Sequence, residues 1–200
     1  MSYKAFYMTI SETIFEKFCI SNDLQWEKIS ESGQPTPDYK IVVNTETIFV
    51  EIKQIDKNDE FTKEGSSRIV GDHIRAKIND KHTRRQAKAA LKYGFPFILL
   101  IYNNLDPMQG FGTERHDFIA AMYGELTIAF NPNDQSVTDS YHGRNQSLRQ
   151  DKNTSFSAIG FLYQTNKSPN TRIYENTFAE NKLNYSALPK CIKVERIKLA

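Results

Sequence analysis

The chain has 200 residues, enough for one well-packed domain and too few for two of ordinary size. Its 39% hydrophobic and 25% charged residues exclude a disordered or fibrous protein. The formal net charge of +2 excludes a strongly basic chain, so overall charge does not by itself indicate nucleic-acid binding. We therefore expect a single domain over residues 1–200.

The first elements in chain order are a helix and a hairpin. Residues 9–20 are predicted as a helix, with Ser11 as N-cap and an apolar face made by Ile10, Ile14, Phe15 and Phe18. A proline-containing loop follows at residues 32–37. Residues 38–43 and 47–54 are then predicted as two strands that form a hairpin around residues 44–46.

The rest of the chain alternates helices and strands. Residues 72–93 are polar and helical in character, and Gly94 and Pro96 end them. The continuous apolar residues 97–102 predict a strand buried on both faces. A short helix at 114–123 and strands at 126–130, 156–164 and 171–176 follow, with 131–154 as a probable surface excursion. The predicted fold class is α/β, with a central mixed sheet flanked by helices.

Cysteine use and hydropathy predict where the protein resides. Cys19 and Cys191 are far apart in sequence, and no CxxC or Cys/His cluster accompanies them. The amino terminus lacks the long apolar core of a signal peptide, and no apolar run approaches membrane-spanning length. We expect a cytoplasmic protein with reduced thiols and no membrane partner.

The predicted hairpin brings two carboxylates together. Asp38 precedes its first strand and Glu51 lies near the end of its second, so the turn folds them towards one another. Glu51 and Lys53 are two residues apart and therefore share one face of their strand. A core does not accept these charges without pairing or a bound cation. Two hard oxygen ligands suit Mg²⁺, for which Mn²⁺ can substitute, and the lysine would orient a water or steady developing charge.

These residues also match a family motif. Pro37-Asp38 and Glu51-Ile52-Lys53, with twelve residues between Asp38 and Glu51, resemble the signature of the PD-(D/E)xK nuclease superfamily. The resemblance implies a restriction-endonuclease-like core. It also implies that Asp38, Glu51 and the carbonyl of Ile52 are metal ligands and that Lys53 is the catalytic lysine.

The same resemblance suggests two further site residues. Many members have a glutamate on the first helix, where Glu12 and Glu16 both qualify. Glu12 is preferred because it lies nearer the border of the apolar face. A glutamine on the helix after the lysine strand corresponds to Gln86. Solvated helix residues are the alternative for the two glutamates, and a structural role is the alternative for Gln86.

The positive charge of the chain is concentrated between His73 and Tyr93. This segment has a single acid, Asp80, against seven bases: Arg75, Lys77, Lys81, Arg84, Arg85, Lys88 and Lys92. Arg84, Lys88 and Lys92 recur every four residues and would form a basic stripe for binding nucleic-acid phosphates. Arg68 and Arg75 are further predicted phosphate contacts. The alternative is an ordinary solvated helix face.

The remaining chemistry-bearing residues give no competing motif. The four histidines have no spacing that predicts a metal site, and His116-Asp117 at a helix start is interpreted as ordinary. No phosphate-binding glycine loop, nucleophile elbow or HExxH motif is present.

The leading functional hypothesis is a metal-dependent nuclease that hydrolyses DNA phosphodiester bonds, in restriction, repair or mobile-element biology. One alternative is a catalytically silent nuclease-like DNA-binding or structural subunit of a larger complex. Another is a defence or mobile-element protein whose cleavage depends on a partner. DNA is the expected partner, and a homodimer is left open. The sequence leaves open endonuclease or exonuclease action and the specificity.

Overall fold

A computed structural model describes residues 8–30, 35–56, 69–106, 108–166 and 168–197. Within these ranges the chain forms four helices, which are α1 (Ile10–Ser21), α2 (Asp72–Asn79), α3 (Lys81–Lys92) and α4 (Arg115–Tyr123). The strands are β1 (Gln25–Lys28), β2 (Tyr39–Val43), β3 (Glu46–Ile55), β4 (Phe97–Asn103), β5 (Leu126–Phe130), β6 (Val137–His142), β7 (Ala158–Thr165), β8 (Ser168–Glu175) and β9 (Ile192–Glu195).

One mixed sheet contains seven of these strands, in the order β1-β2-β3-β4-β7-β8-β9. β1, β2 and β3 are antiparallel neighbours, while β3, β4 and β7 run parallel. β7 and β8 are antiparallel, and β9 adds in parallel to β8. The α/β class with a mixed sheet flanked by helices is therefore confirmed, as are the predicted hairpin and the buried strand after it.

The sheet has an apolar core on each face because side chains alternate along its strands. On β3, Ile48, Val50 and Ile52 face a core shared with α1. Phe49 and Ile55 face the other core, to which α2, α3 and α4 contribute. β4 is buried along its whole length, as its continuous apolar sequence predicts.

The amino end of α1 differs from the prediction. Thr9, and not Ser11, is the N-cap: its side chain accepts from the Glu12 N–H, and the Glu12 carboxylate accepts from the Thr9 N–H at 2.7 Å. Ser11 is buried, and its N–H donates to Gln54 Oε1 at 3.0 Å. Ile10 is 51% exposed and does not belong to the apolar face. The buried side of α1 consists instead of Ser11, Ile14, Phe15, Phe18 and Cys19.

The predicted helix at 72–93 is two helices that meet at Asp80. Asp80 has an extended ψ of 135°, and its carboxylate accepts from the Thr83 N–H at 2.9 Å, which makes it the N-cap of α3. No glycine or proline marks this break, so hydrophobic periodicity alone did not reveal it.

Residues 131–154 are less irregular than the sequence suggested. β6 lies within them and pairs with β5 in a separate two-stranded sheet. Ser147 and Leu148 are fully buried, and Leu148 belongs to the core against α4. The exposed part of the segment is the hairpin arm itself. β1 and β9, four residues each, were not predicted.

Two observations bear on the expected location. Cys19 is buried and Cys191 is half-buried, and both are free thiols. Among the helices that the structure describes, none combines the length and apolar character required to cross a bilayer.

Candidate active site

β3 is the strand that carries the candidate site, and it lies between β2 and β4. Glu51 and Lys53 point to the face covered by α2 and α3, in the same row as Phe49 and Ile55. Glu51 is completely buried, whereas the Lys53 side chain is 24% exposed. The row therefore changes from an apolar core to a polar site that reaches solvent at Lys53.

Asp38 joins this site where β2 and β3 stop pairing. The last paired residues are Tyr39 and Val50, so Ile52 lies beyond the hairpin ladder. The Ile52 N–H donates instead to Asp38 Oδ2 at 2.9 Å, and the Asp38 N–H donates to Glu51 Oε2 at 3.2 Å. Asp38 Oδ1 accepts no hydrogen bond from the described residues. The end of the hairpin thus holds both carboxylates in one place.

Lys53 neutralises part of this negative charge. Its ammonium lies 2.5 Å from Glu51 Oε1. Burial alone would lower the pKa of Lys53, but the adjacent charges of Glu51, Asp38 and Asp80 outweigh burial and raise that pKa. Lys53 is therefore protonated at neutral pH, which suits it to stabilise negative charge and does not suit it to act as a base.

Both carboxyl groups hold their protons more tightly than usual. The pKa of Glu51 is raised to about 7, chiefly because burial removes the carboxylate from water and also because Asp38 is nearby; Lys53 and the Gln86 amide offset part of this rise. The pKa of Asp38 is also raised, because burial outweighs the hydrogen bond from Ile52 and the charge of Lys53. A bound cation would reverse both effects.

Gln86 connects α3 to the two carboxylates. It is 2% exposed, and its Nε2 donates to the Thr36 carbonyl at 2.8 Å, just before Pro37 and Asp38. Its amide also lies close enough to Glu51 to lower the pKa of that carboxyl. Gln86 therefore positions the loop that carries Asp38 against the strand that carries Glu51.

The unpaired oxygens at this place fit a metal ion. Gln86 Oε1 is buried without a donor in the described ranges, and only the Lys53 ammonium approaches Glu51 Oε1. Buried acceptors without donors are costly unless water or a cation meets them. Glu51 Oε1 and Asp38 Oδ1 are hard oxygen ligands of the kind that Mg²⁺ or Mn²⁺ takes. The main chain of Ile52, bonded to Asp38, lies at the same place.

The two glutamates of α1 have different surroundings. The Glu12 carboxylate caps α1 and pairs with Lys28 Nζ at 2.7 Å. Its charge contributes to the raised pKa of Asp38, which places it at the border of the site. Glu16 Oε1 instead accepts from the buried Tyr39 hydroxyl at 2.8 Å. Glu12 is thus the nearer of the two candidates, as preferred from the sequence, although it already has a structural role.

A basic pocket lies on the outer side of α3. Its lining residues are Lys81, Arg84, Arg85 and Lys88. None of the four has an acidic partner within the part of the chain that the structure describes, and Arg84 Nε is buried without an acceptor there. Lys92 is exposed one turn beyond and does not line the pocket. The pocket has the chemistry of an anion site.

The other predicted phosphate contacts are placed differently. The Arg75 side chain is 14% exposed; it pairs with Asp72 and donates to the carbonyls of Asn145 and Ala120, so its guanidinium is already used within the fold. Arg68 lies outside the described residues.

Lys77 is half-buried, and its pKa is lowered, first by burial and then by the charge of Lys53. It therefore lies beside the candidate site. Asp80, which was not among the predicted site residues, also interacts with Lys53. Its isolation as the single acid of a basic segment was the signal that pointed to it.

A second acidic group lies at the start of α4. In the described ranges, Glu114, His116 and Asp117 are the one set of three side chains whose ligand atoms all lie within 4.8 Å of one another. Asp117 is fully buried, and its oxygens accept from the N–H groups of Gly71 and Glu114 at 3.0 and 3.1 Å. Helix capping accounts for Glu114 and Asp117, whereas a group that could hold a metal at His116 was not predicted from the spacing of the histidines.

Comparison of the chain with models of protein families, with curated proteins and with solved structures gives no match.

Proposed function

We propose that this protein is a metal-dependent nuclease that hydrolyses DNA phosphodiester bonds. The observation that supports this best is the pair of buried Glu51 and half-buried Asp38, held beside the protonated Lys53 at the open end of a hairpin. A fold gains nothing from two carboxylates that burial makes harder to ionise, so their presence together points to chemistry. The order of helix, hairpin, helix and buried strand around them is the order that the motif implies.

The residues have distinct roles in this proposal. Asp38, Glu51 and the main chain of Ile52 hold Mg²⁺ or Mn²⁺. The metal, when bound, supplies Lewis-acid polarisation of a phosphoryl oxygen and a water of lowered pKa. The Lys53 ammonium orients the attacking water and stabilises the negative charge that develops on the phosphate. Gln86 keeps the two carboxylates in register through Thr36.

DNA binding is assigned to the outer side of α3. Gln86 faces the site while Lys81, Arg84, Arg85 and Lys88 line the pocket on the other side of the same helix. A backbone phosphate in that pocket would hold the nucleic acid against α3 without reading its sequence. Lys77, which precedes the pocket residues in sequence, and Lys92, which follows them, add to the positive charge of this segment.

We place this activity in the cytoplasm, because both cysteines are free and one is buried in the core. Restriction, repair and mobile-element processing all supply DNA substrates there.

The second candidate function is a silent nuclease-like subunit that binds DNA or has a structural role. The observation that favours it is the ion pair between Lys53 and Glu51, which satisfies Glu51 in part without a metal. A scaffold of this kind would still use the basic pocket on α3. The two candidates therefore agree on DNA binding and differ on metal binding and cleavage.

The deciding experiment incubates the purified protein with linear, circular, branched and single-stranded DNA, with and without Mg²⁺ or Mn²⁺. We expect metal-dependent cleavage by the wild type and by Glu114→Gln, and none by Asp38→Asn. Asparagine retains the acceptor for the Ile52 N–H, so this variant tests the carboxylate charge and preserves the fold. A wild-type protein that binds metal but cuts none of the substrates would favour the silent subunit.

A melting experiment tests metal binding without cleavage. Mg²⁺ or Mn²⁺ should raise the melting temperature of the wild type, because the ion binds the folded state, and should not raise that of Asp38→Ala. An equal rise in both proteins would place the ion elsewhere, and the group at Glu114 would be the next candidate.

A third experiment tests the basic surface. Reversing Arg84, Lys88 and Lys92 to glutamate should weaken DNA binding and flatten its dependence on salt, since fewer counterions are released. Each lost phosphate contact should reduce the slope of the logarithm of affinity against the logarithm of salt concentration by about one. An unchanged slope in the triple variant would assign these residues to solvation.

A further inference from the structure

The outer face of α3 carries four like charges, which belong to Lys81, Arg84, Arg85 and Lys88. Their spacings of three and four residues make them neighbours on one side of the helix, where like charges repel and destabilise it. The Asp80 carboxylate at the N-cap already accepts from Thr83, and α3 has no acid in its first turn, where the helix dipole favours negative charge. The described part of the chain therefore leaves this positive charge unbalanced.

The same four side chains line a small pocket. Its volume is about 210 Å³, below the roughly 300–1,000 Å³ of pockets that bury a drug-sized ligand. Arg84 is half-buried, yet its guanidinium has no acceptor among the described residues, and its Nε is fully buried. Such a group is costly to a fold, and a bound anion would supply the missing acceptor. The pocket therefore suits a compact anionic group better than a base or a nucleoside.

Arg75 provides the contrast within the same segment. Its guanidinium pairs with Asp72 and donates to the carbonyls of Asn145 and Ala120, so the fold itself satisfies that side chain. The cations of the pocket have no such contacts in the described ranges. Arg75 is thus a structural arginine, whereas the pocket is available to a ligand.

The number of charges indicates the kind of phosphate. A phosphodiester of the DNA backbone has one negative charge and two unbridged oxygens. A terminal phosphomonoester has about 1.5 to 2 negative charges at pH 7 and three acceptor oxygens. Four cations around one small pocket match the phosphomonoester more closely, and two of them are guanidinium groups, whose planar forks suit phosphate oxygens.

We propose that this pocket binds the terminal phosphate of a DNA end, which makes DNA with phosphorylated ends the preferred substrate class. The inference rests on the proposed function for the identity of the nucleic acid. A phosphomonoester at a 5′ end, at a 3′ end or in inorganic phosphate has the same chemistry, and the experiment separates these sources. Lys92 is exposed on the same helix and outside the pocket, so its contacts would be with the backbone.

Fluorescence anisotropy of the full chain without metal tests the proposal. The probes are linear duplexes with a phosphate at the 5′ end, at the 3′ end or at neither. The unphosphorylated probe is one nucleotide longer, so that all probes have the same number of phosphates. We expect a phosphorylated end to bind about tenfold more tightly, and inorganic phosphate to compete for it. Equal affinity for all probes would overturn the proposal, even if inorganic phosphate bound to the protein.

Variants on one helix make the result specific. Lys88→Gln removes an exposed charge, and Arg84→Lys keeps the charge but removes the planar fork. Each should reduce the preference for a phosphorylated end to about twofold or less. Lys92→Gln is the matched control, and it should weaken binding of all probes equally. Melting temperatures close to that of the wild type would verify that the variants fold. A preference that persists in both pocket variants, or that Lys92→Gln abolishes, would contradict the assignment.

Cleavage in Mg²⁺ is a separate measurement, so the two proposals can fail independently. A protein that prefers phosphorylated ends but cuts no DNA would retain the assignment of the pocket and lose the nuclease function. A protein that cuts DNA but binds all three probes equally would retain the nuclease function and lose the assignment of the pocket.

Discussion

Two clusters of acidic side chains lie within the described residues, and they differ in which hydrogen bonds their oxygens accept. Asp117, at the start of α4, accepts two main-chain N–H groups and joins α4 to the N-cap of α2 at Gly71. Asp38 and Glu51, at the end of the hairpin, accept one main-chain N–H each and leave Asp38 Oδ1 without a partner in the described residues. Glu51 also has a pKa raised to about 7, first by burial.

We use this difference as a criterion to separate structural carboxylates from candidate functional ones. A buried acid whose oxygens are met by N–H groups is explained by the fold. A buried acid and a half-buried one whose pKa values are both raised, and which depend on a lysine, are costly to the fold, so another requirement must explain them. Proximity of ligand atoms would have selected the cluster at Glu114 instead. Whether each carboxylate oxygen already accepts a hydrogen bond from the protein is therefore the better criterion. Four predictions test it.

The largest expected effect is on cleavage. Asp38→Asn should reduce metal-dependent cleavage of plasmid DNA on the order of 10³-fold or more, because a neutral amide is a poor ligand for Mg²⁺. Glu114→Gln and His116→Ala should each leave the rate within a few fold of the wild type. If the two clusters responded in the opposite way, the site would lie at α4 and the criterion would be wrong.

The next effect separates the lysine from the metal ligands. Lys53→Ala should reduce cleavage on the order of 10²- to 10³-fold while metal and DNA binding persist, because an ammonium group is not a magnesium ligand. Lys53→Arg should not restore the rate, since a planar guanidinium cannot replace a compact charge at 2.5 Å from Glu51.

Metal titration by melting temperature and DNA titration by anisotropy would verify both variants. Lys77→Ala, which removes the other lysine of this neighbourhood, is the matched control and should have the smaller effect. Cleavage by Lys53→Ala at the wild-type rate would disprove the assignment of the motif.

The sequence predicted the elements with strong periodicity and missed those fixed by single contacts. The hairpin and β4 follow from alternation and from a continuous apolar run, so their positions were correct within two residues. The break at Asp80 and the cap at Thr9 depend on individual side-chain hydrogen bonds, which periodicity does not record. Strands β1 and β9 are only four residues long, and pairing with a neighbour determines them more than propensity does.

The candidate site shows the same division. Asp38, Glu51 and Lys53 came together because strand geometry fixes which residues share a face, and this can be derived from spacing. The burial of Glu51 could not be derived, because it requires α3 to pack over β3 with Gln86 facing the carboxylates. The hydrogen bonds of the Arg75 guanidinium could not be derived either, because the carbonyls that accept them, Asn145 and Ala120, lie far along the chain.

The third prediction uses the raised pKa of Glu51. A carboxyl with a pKa of about 7 in the fold and an ordinary value when unfolded makes the native state bind more protons between these values. Its contribution to stability is therefore greatest at low pH and is lost as pH rises through about 7, a change of at most about 3 kcal/mol.

Glu51→Gln removes this titration. The melting temperature of the variant, relative to the wild type, should rise between about pH 5 and about pH 8 in the absence of metal. Excess Mg²⁺ should reduce the difference at the higher pH, because the ion stabilises the charged carboxylate. Glu114→Gln should give a flat difference over the same range. A flat profile for Glu51→Gln as well would mean that Lys53 already neutralises the site, as the silent-subunit alternative requires.

The smallest expected effect concerns the structural cluster and is on stability alone. Asp117→Ala removes the acceptor of the Gly71 and Glu114 N–H groups, and the first of these lies in a buried turn. A Cβ on Gly71, whose φ is +78°, would lie 2.7 Å from the Asp117 carbonyl oxygen, so the turn is packed closely against α4 and has little room to find a new partner. We expect a loss of about 1–3 kcal/mol in the free energy of unfolding, measured by denaturant titration with an unchanged m value. Cleavage per folded molecule should stay at the wild-type level.

If instead Asp117→Ala kept its stability and lost the metal-induced rise in melting temperature, the carboxylates at α4 would bind the metal, and their hydrogen bonds to the main chain would not be their main role.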